Sequence, residues 1–212
     1  MKKKKINAQL IILSIALGFI LGSCKKDSGT NNPPIIPPIS IKNIVTQSMI
    51  DSLTAAGAVI NSGTTPPVVN GIYLMHPDSC IYDNSPGNYK GQYFDDYKFQ
   101  FSNQNNSLYT ITVAQKDVAT GVLNPNPTAT YITGSGNAFS IYILSTSTPS
   151  GIAVQKFNVF SGTLTSGGIQ NFQNTLYMRS KTGDPNNTVA PAGTIRVFNT
   201  GAPGLAAMST SF

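Results

Sequence analysis

From Val68 to Phe198 the chain reads as short runs of alternating apolar and polar residues, each closed by Gly, Asn, Pro or Ser. Alternation with period two puts successive side chains on opposite faces of a strand. The turn residues between runs leave no room for the crossover helices that parallel strands require. In Asp95 to Phe101, Tyr97, Phe99 and Phe101 share one face, while Asp96, Lys98 and Gln100 share the other. The Ser102–Asn106 loop leads to a second run with Tyr109, Ile111 and Val113 on one face. Thr128 to Thr133 and Asn137 to Leu144 repeat the arrangement around Gly134-Ser135-Gly136, and Ile152 to Thr165 and Ile169 to Arg179 repeat it around Gly167-Gly168. Val69 to Met75 precedes the series and Thr194 to Phe198 closes it. The pattern predicts an all-β fold of about eight antiparallel strands in sequential hairpins. An up-and-down barrel and a β-sandwich both accommodate such a series; the sequential pairing and a helix ahead of it favour the barrel.

Composition points the same way. The 212 residues include no Glu and no Trp, whereas Asn, Ser and Thr supply 62 of them. Charged residues are 10% of the chain, against about 25% in an average soluble domain. Coiled coils and long helical bundles, which need Glu, Lys, Ala and Leu in quantity, are excluded. A disordered chain is disfavoured by the 40% hydrophobic content. One short N-terminal helix is expected between Ile41 and Ile60, where Ile44, Val45, Met49, Ile50 and Leu53 recur at near-helical spacing. Ser40 or Thr46 can cap it, and Gly57 is its natural stop.

The formal charge of +6 sits largely at the N-terminus. Lys2 to Lys5 form a basic region, followed by an apolar stretch whose densest part, Leu10 to Leu21, is 12 residues long. That is too short for a comfortable bilayer span and suits an export signal. Leu21-Gly22-Ser23-Cys24 then resembles the bacterial lipobox, and Cys24-Lys25-Lys26-Asp27 is similar to the start of Bacteroidota-type lipoproteins of uncharacterised function. The resemblance implies that residues 1–23 are a cleaved signal peptide and that Cys24 is acylated. It also implies that the protein is anchored by lipid in the outer membrane, on its periplasmic face or at the cell surface. Multiple acyl chains give stable anchoring where one is marginal. Residues 24–40 make a Pro-rich tether, extended at about 3.1 Å per residue, and residues 41–212 form a single β domain. After cleavage the chain keeps 10 Lys/Arg and 8 Asp. Its longest basic run is Lys25-Lys26, so the clustered cations of a nucleic-acid footprint are missing. Asn70-Gly71-Ile72-Tyr73 loosely resembles the Gly-x-Trp motif of lipocalin-like barrels, with Tyr in place of Trp; it carries over no functional residue.

The inventory for catalysis is thin. His76 is the only imidazole, which excludes a zinc site built on several histidines, and no Gly-x-Ser-x-Gly elbow accompanies it. Acid–base chemistry would have to use aspartates alone. Asp95 shares parity with Tyr97 and Phe99 and is the best candidate carboxylate to orient a ligand at the mouth of the core. Gly183-Asp184-Pro185-Asn186 reads as a turn and lacks the repeated acids of a calcium loop. Cys80, without an intramolecular partner once Cys24 is acylated, reads as a small buried side chain beside a turn. Asp51-Ser52-Leu53 matches a short Bacteroidota-type O-glycosylation pattern on Ser52. The Gly/Asn/Tyr-rich stretch Ile81 to Phe94 is the candidate binding loop, with Tyr82, Tyr89 and Tyr93 placed to stack on and hydrogen-bond a glycan or small polar molecule. The expected function is a non-enzymatic, lipid-anchored binding or accessory protein of the cell envelope, with no metal and no cofactor. A structural or adhesive surface module and an Asp-dependent hydrolase are the alternatives.

Overall fold

The computed structural model describes residues 39–123, 127 and 129–212; the signal peptide, Cys24 and most of the tether read from the sequence lie outside the described residues. Two helical segments, α1 (Ile39–Lys42) and α2 (Gln47–Ala55), precede eleven strands. These are β1 (Gly71–Met75), β2 (Asp78–Asp83), β3 (Tyr93–Phe94), β4 (Tyr97–Asn105), β5 (Thr110–Asp117), β6 (Ala129–Ser135), β7 (Ala138–Ser147), β8 (Ala153–Thr165), β9 (Gly168–Thr182), β10 (Ile195–Thr200) and β11 (Leu205–Met208). Every pairing between named strands is antiparallel.

Eight strands are hydrogen-bonded in a ring, β1-β4-β5-β6-β7-β8-β9-β11 and back to β1. The ring closes because β11 pairs Ala206 with Ile169 and Ala207 with Gly168 on β9, and Tyr73 with Met208 on β1. Further along the same edge of β9, β10 takes over, pairing Val197 with Thr175, and β2 and β3 extend the sheet from there. The ring is therefore tight at one end and parts at the other. β5 and β6 reinforce this asymmetry: they share one ladder position, Thr110 with Tyr131, and then diverge.

The expected hairpin series holds from β1, which pairs with β4, and on through β10. The departures are β2 and β3, which lie within the stretch between those first two strands and pair beyond β10, and β11, which follows Thr194 to Phe198 and so closes the series in its place. The Ser102–Asn106 segment, expected as a loop, is mostly strand: β4 continues to Asn105 across a bulge, with Asn103 at φ 52°. A short polar side chain tolerates that left-handed backbone better than most. The helix expected over 41–60 is shorter. Thr46 accepts a hydrogen bond from the Met49 N–H at 3.2 Å and starts α2. Gly57, at φ 94°, ends it in a Schellman arrangement, with Ala58 N–H on Leu53 O and Gly57 N–H on Thr54 O.

Two apolar layers result. Phe99, Phe101, Phe139, Phe160 and Phe172 fill the ring, with Phe99 and Phe160 edge-to-face at 4.7 Å. On the other face of β7, β8 and β10, Ile50 and Leu53 of α2 pack on Tyr142, Phe157, Val159 and Val197. β8 is thus covered on both sides, which explains why Phe157, Val159 and Phe160 break simple alternation.

Neutral amides and hydroxyls close the tight end. The segment from Val59 to Asn70 straps across it. Asn61 donates to Phe139 O and its N–H to Ser140 Oγ, both at 2.8 Å. Gln104 accepts from Val69 N–H at 2.9 Å and donates to Pro67 O at 2.7 Å. Gly63 and Gly134 approach so closely that a Cβ on Gly63 would collide with the Gly134 carbonyl. This end of the ring is plugged.

Candidate functional site

The strand register arranges three rows of inward-facing side chains toward the open end. The deepest, Ile141–Phe160–Asn174–Phe198–Cys80, is nearly apolar. The next is mixed: Ile143–Asn158–Leu176–Arg196–Asp83. The outermost is Ser145–Lys156–Met178. Polarity therefore rises toward solvent within one continuous surface. Asn158 Nδ2 donates to Asn174 Oδ1 at 3.1 Å and ties the second row to the first.

Beside these rows lies an open cleft of about 760 Å³, bounded by Leu176, Met178, Lys156 and Arg196 on the sheet. The turn carrying Tyr89 and the loop through Val189, Ala190 and Pro191 complete its walls. Its size is in the range of small-molecule sites, about 300–1,000 Å³. A second, smaller cavity of about 50 Å³ lies between β5, β7 and β8, lined by Val113, Gln115, Ser145, Asn158 and Phe160. Lys156 lines both.

One wall of the cleft is held by ion pairing and stacking. Arg196 Nε donates to Asp83 Oδ2 at 3.1 Å, and its guanidinium lies 4.6 Å from the centre of the Tyr89 ring. Tyr89 in turn meets Phe94 edge-on, and Phe94 meets Phe198. Burial pushes the Asp83 carboxyl up, but N–H groups of Tyr89 and Ser85, the Ser85 hydroxyl and Arg196 outweigh it and hold it below the ordinary carboxylate value. The loop wall is organised by Asp184, whose two oxygens accept from Lys181 Nζ, Thr188 N–H, Thr188 Oγ1 and Val189 N–H at 2.7–3.1 Å. The Lys181 contact leads in holding Asp184 far below the usual carboxylate range, against the opposing effect of burial. The expected turn is thus present, with the acid used inside the chain.

Lys156 is different. Among the described residues its ammonium makes no ion pair, and burial alone pushes its pKa down. It is a half-buried cation with no countercharge among the described residues, and it lines the cleft. No protein-family model, curated protein or solved structure matches the chain. The chemistry of the cleft is therefore read from its own residues.

Of the four ligand-binding residues read from the sequence, Tyr89 alone lines the cleft. Tyr82 sits on the opposite face of β2, against the layer under α2, because Ile81 is an extra, unpaired residue of β2 opposite the Val197–Phe198 step and resets the alternation there. Tyr93 is 73% exposed on the short edge strand β3. Asp95 precedes the regular part of β4 and is exposed, so it does not stand at the mouth of the core. The loop expected over 81–94 includes the last residues of β2 and all of β3.

Asp78 and Asp96 lie at the ends of β2 and β4 nearest His76. His76 Nδ1 and Asp96 Oδ2 are 2.7 Å apart, with the imidazole exposed and the carboxylate half-buried. Asp78 is buried, one of its oxygens has no hydrogen-bond partner, and burial with help from Asp96 pushes its pKa up to about 7. Neither cavity is lined by an aspartate. Cys80 is fully buried; burial, then the Asp83 charge, raises its thiol pKa. Ser52 is exposed on α2 and donates to Ser48 O at 2.9 Å.

Sequence reasoning missed Lys156, Arg196, Leu176 and Met178. The available signal was Lys156-Phe157-Asn158-Val159-Phe160: a run apolar on both parities is a strand covered on both faces, and a lysine within it cannot simply face water.

Proposed function

We propose that the protein is a lipid-anchored, non-enzymatic binding protein of the bacterial cell envelope, held at the outer membrane through Cys24. Its ligand site is the cleft between the Tyr89 turn and the Val189–Pro191 loop. The observation that carries this reading is the cleft itself, placed at the open end of a strand ring whose other end is strapped shut. We take the ring as a barrel opened on one side, with β10, β2 and β3 turned outward to make a binding wall. The preformed Arg196–Tyr89–Phe94–Phe198 stack favours binding, since a rigid wall costs little ordering entropy when a ligand arrives.

Two measurements test the proposal. Cys24→Ser should release the protein from membranes; continued retention sinks the anchor. For the cleft, native mass spectrometry of the anchored protein extracted from its own envelope should show a bound small molecule. Leu176→Trp, which fills the cleft from one wall, should abolish it. Equal occupancy in both proteins, or none in either, would refute the site.

A further inference from the structure

We infer that the cleft selects small organic anions with an apolar body, and that Lys156 is the group that reads the charge. This inference rests on the cleft being the ligand site and adds the class of ligand. Lys156 projects from β8 opposite Ser145 on β7 and Met178 on β9, on the same face as the core. Arg196, the other cation lining the cleft, is already engaged with Asp83, and Lys181 behind the loop wall with Asp184. Lys156 has no such partner among the described residues. It stands at the junction of the open cleft and the smaller cavity. A half-buried ammonium without a countercharge is unfavourable, and one negative group beside it would offset that cost.

The remaining surface selects the rest of the ligand. Leu176, Met178, Val189, Ala190 and Pro191 give the cleft an apolar side. Ser145 and Asn158 lie next to Lys156 across and along the sheet and offer hydroxyl and amide donors to the second oxygen of a carboxylate. A dianion is disfavoured, because Lys156 is the one unpaired cation among the residues lining the cleft and Asp83 is held ionised in the adjacent wall. A monoanion with an aliphatic or aromatic body satisfies both parts.

The test uses the full lipidated chain in phospholipid nanodiscs, with the ¹³C-methyl signal of Met178 as reporter of occupancy. The probes are hexanoate, 1-hexanol, hexylammonium and acetate. The expected result is a Met178 shift with hexanoate at least about tenfold tighter than with hexanol, and none with hexylammonium. Acetate should bind at least about tenfold more weakly than hexanoate. Lys156→Met should bring hexanoate to the level of hexanol, while Lys156→Arg should keep the preference. If a variant fails to fold, the comparison of probes on the unaltered protein still decides. Equal binding of hexanoate and hexanol, or a preference that survives Lys156→Met, overturns the anion inference and leaves the cleft as the site. Equal binding of acetate and hexanoate overturns the apolar part. No Met178 shift with any probe removes the cleft reading beneath it.

Discussion

Asp78→Asn should make this protein more stable at neutral pH, by an amount that depends on pH in a defined way. Asp78 pairs with Thr200 on β10 and Phe94 on β3, is 2% exposed, and has one carboxylate oxygen without a hydrogen bond. Burial, and then the charge on Asp96, pushes its pKa from 3.8 to about 7. Between those values the native state holds a proton that the unfolded chain has released. Stability therefore falls as pH rises through the window. Three units at about 1.4 kcal/mol each set a ceiling of about 4 kcal/mol on the loss, complete above about pH 7. Asparagine has nearly the same shape and no charge, so Asp78→Asn should match the parent at about pH 3.5 and exceed it by about 2–4 kcal/mol at pH 8. Asp83 and Asp184, whose pKa values are lowered, act with the opposite sign, gaining stability as pH rises from acid. They are common to both proteins and cancel in the difference. Urea unfolding followed by tyrosine fluorescence at several pH values between these limits measures it. A difference that is flat with pH, or that grows toward acid, would refute the buried and unsatisfied state of Asp78.

Gly168→Val should break the ring, because a Cβ there would collide with the Ala206 carbonyl where β11 closes on β9. Amide exchange in β11 and at Ser209, whose N–H donates to Ile72 O, should accelerate before exchange in β7 and β8 does. Leu53→Ala removes a fully buried side chain between α2 and β8 and should cost about 3 kcal/mol in urea unfolding. Arg196→Met should cost about 2 kcal/mol, less than a fully buried pair, because Asp83 keeps its bonds from Ser85 and Tyr89. Loss of the guanidinium face should also broaden the Tyr89 ring resonances.

The alternation in Asp95–Phe101 and the Gly-centred turns were enough to read β4 through β9, because those strands pair with their neighbours in sequence. What was hidden depended on distant partners. β11 is four residues, Leu205–Met208, with no alternation of its own, and its strand character comes from β9 and β1. β2 carries Asp78, Cys80 and Asp83 on its buried positions, so its inner face reads as polar. The ion pair that explains Asp83 lies on β10, 113 positions away in sequence. Tyr89 was legible as an aromatic in a Gly-rich stretch. Tyr82, Tyr93 and Asp95 were drawn in by the same composition, which says nothing about which face a side chain occupies. Lys156 was concealed because its parity partner Phe160 suggests core while its own type suggests surface, and the α2 layer accounts for the apolar residues on the opposite parity.

That placement turns Lys156 into a diagnostic residue. A lysine kept for structure contributes stability through a partner, and removing it should cost free energy. Lys156 has no acidic partner among the described residues, and it stands opposite Met178 on β9. Lys156→Met retains the volume of the lysine stem and removes the poorly solvated charge. The ligand-free protein should therefore gain about 1 kcal/mol or more in urea unfolding. The same substitution should lose the preference for hexanoate over hexanol. Opposite signs for stability and binding at one position are what a functional group held against its own solvation cost produces. The ammonium should also titrate below the ordinary lysine value in the empty protein, and hexanoate should raise it, which ¹³Cε shifts of labelled lysine report directly. A Lys156→Met protein that is less stable and still prefers hexanoate would place the lysine in the scaffold instead.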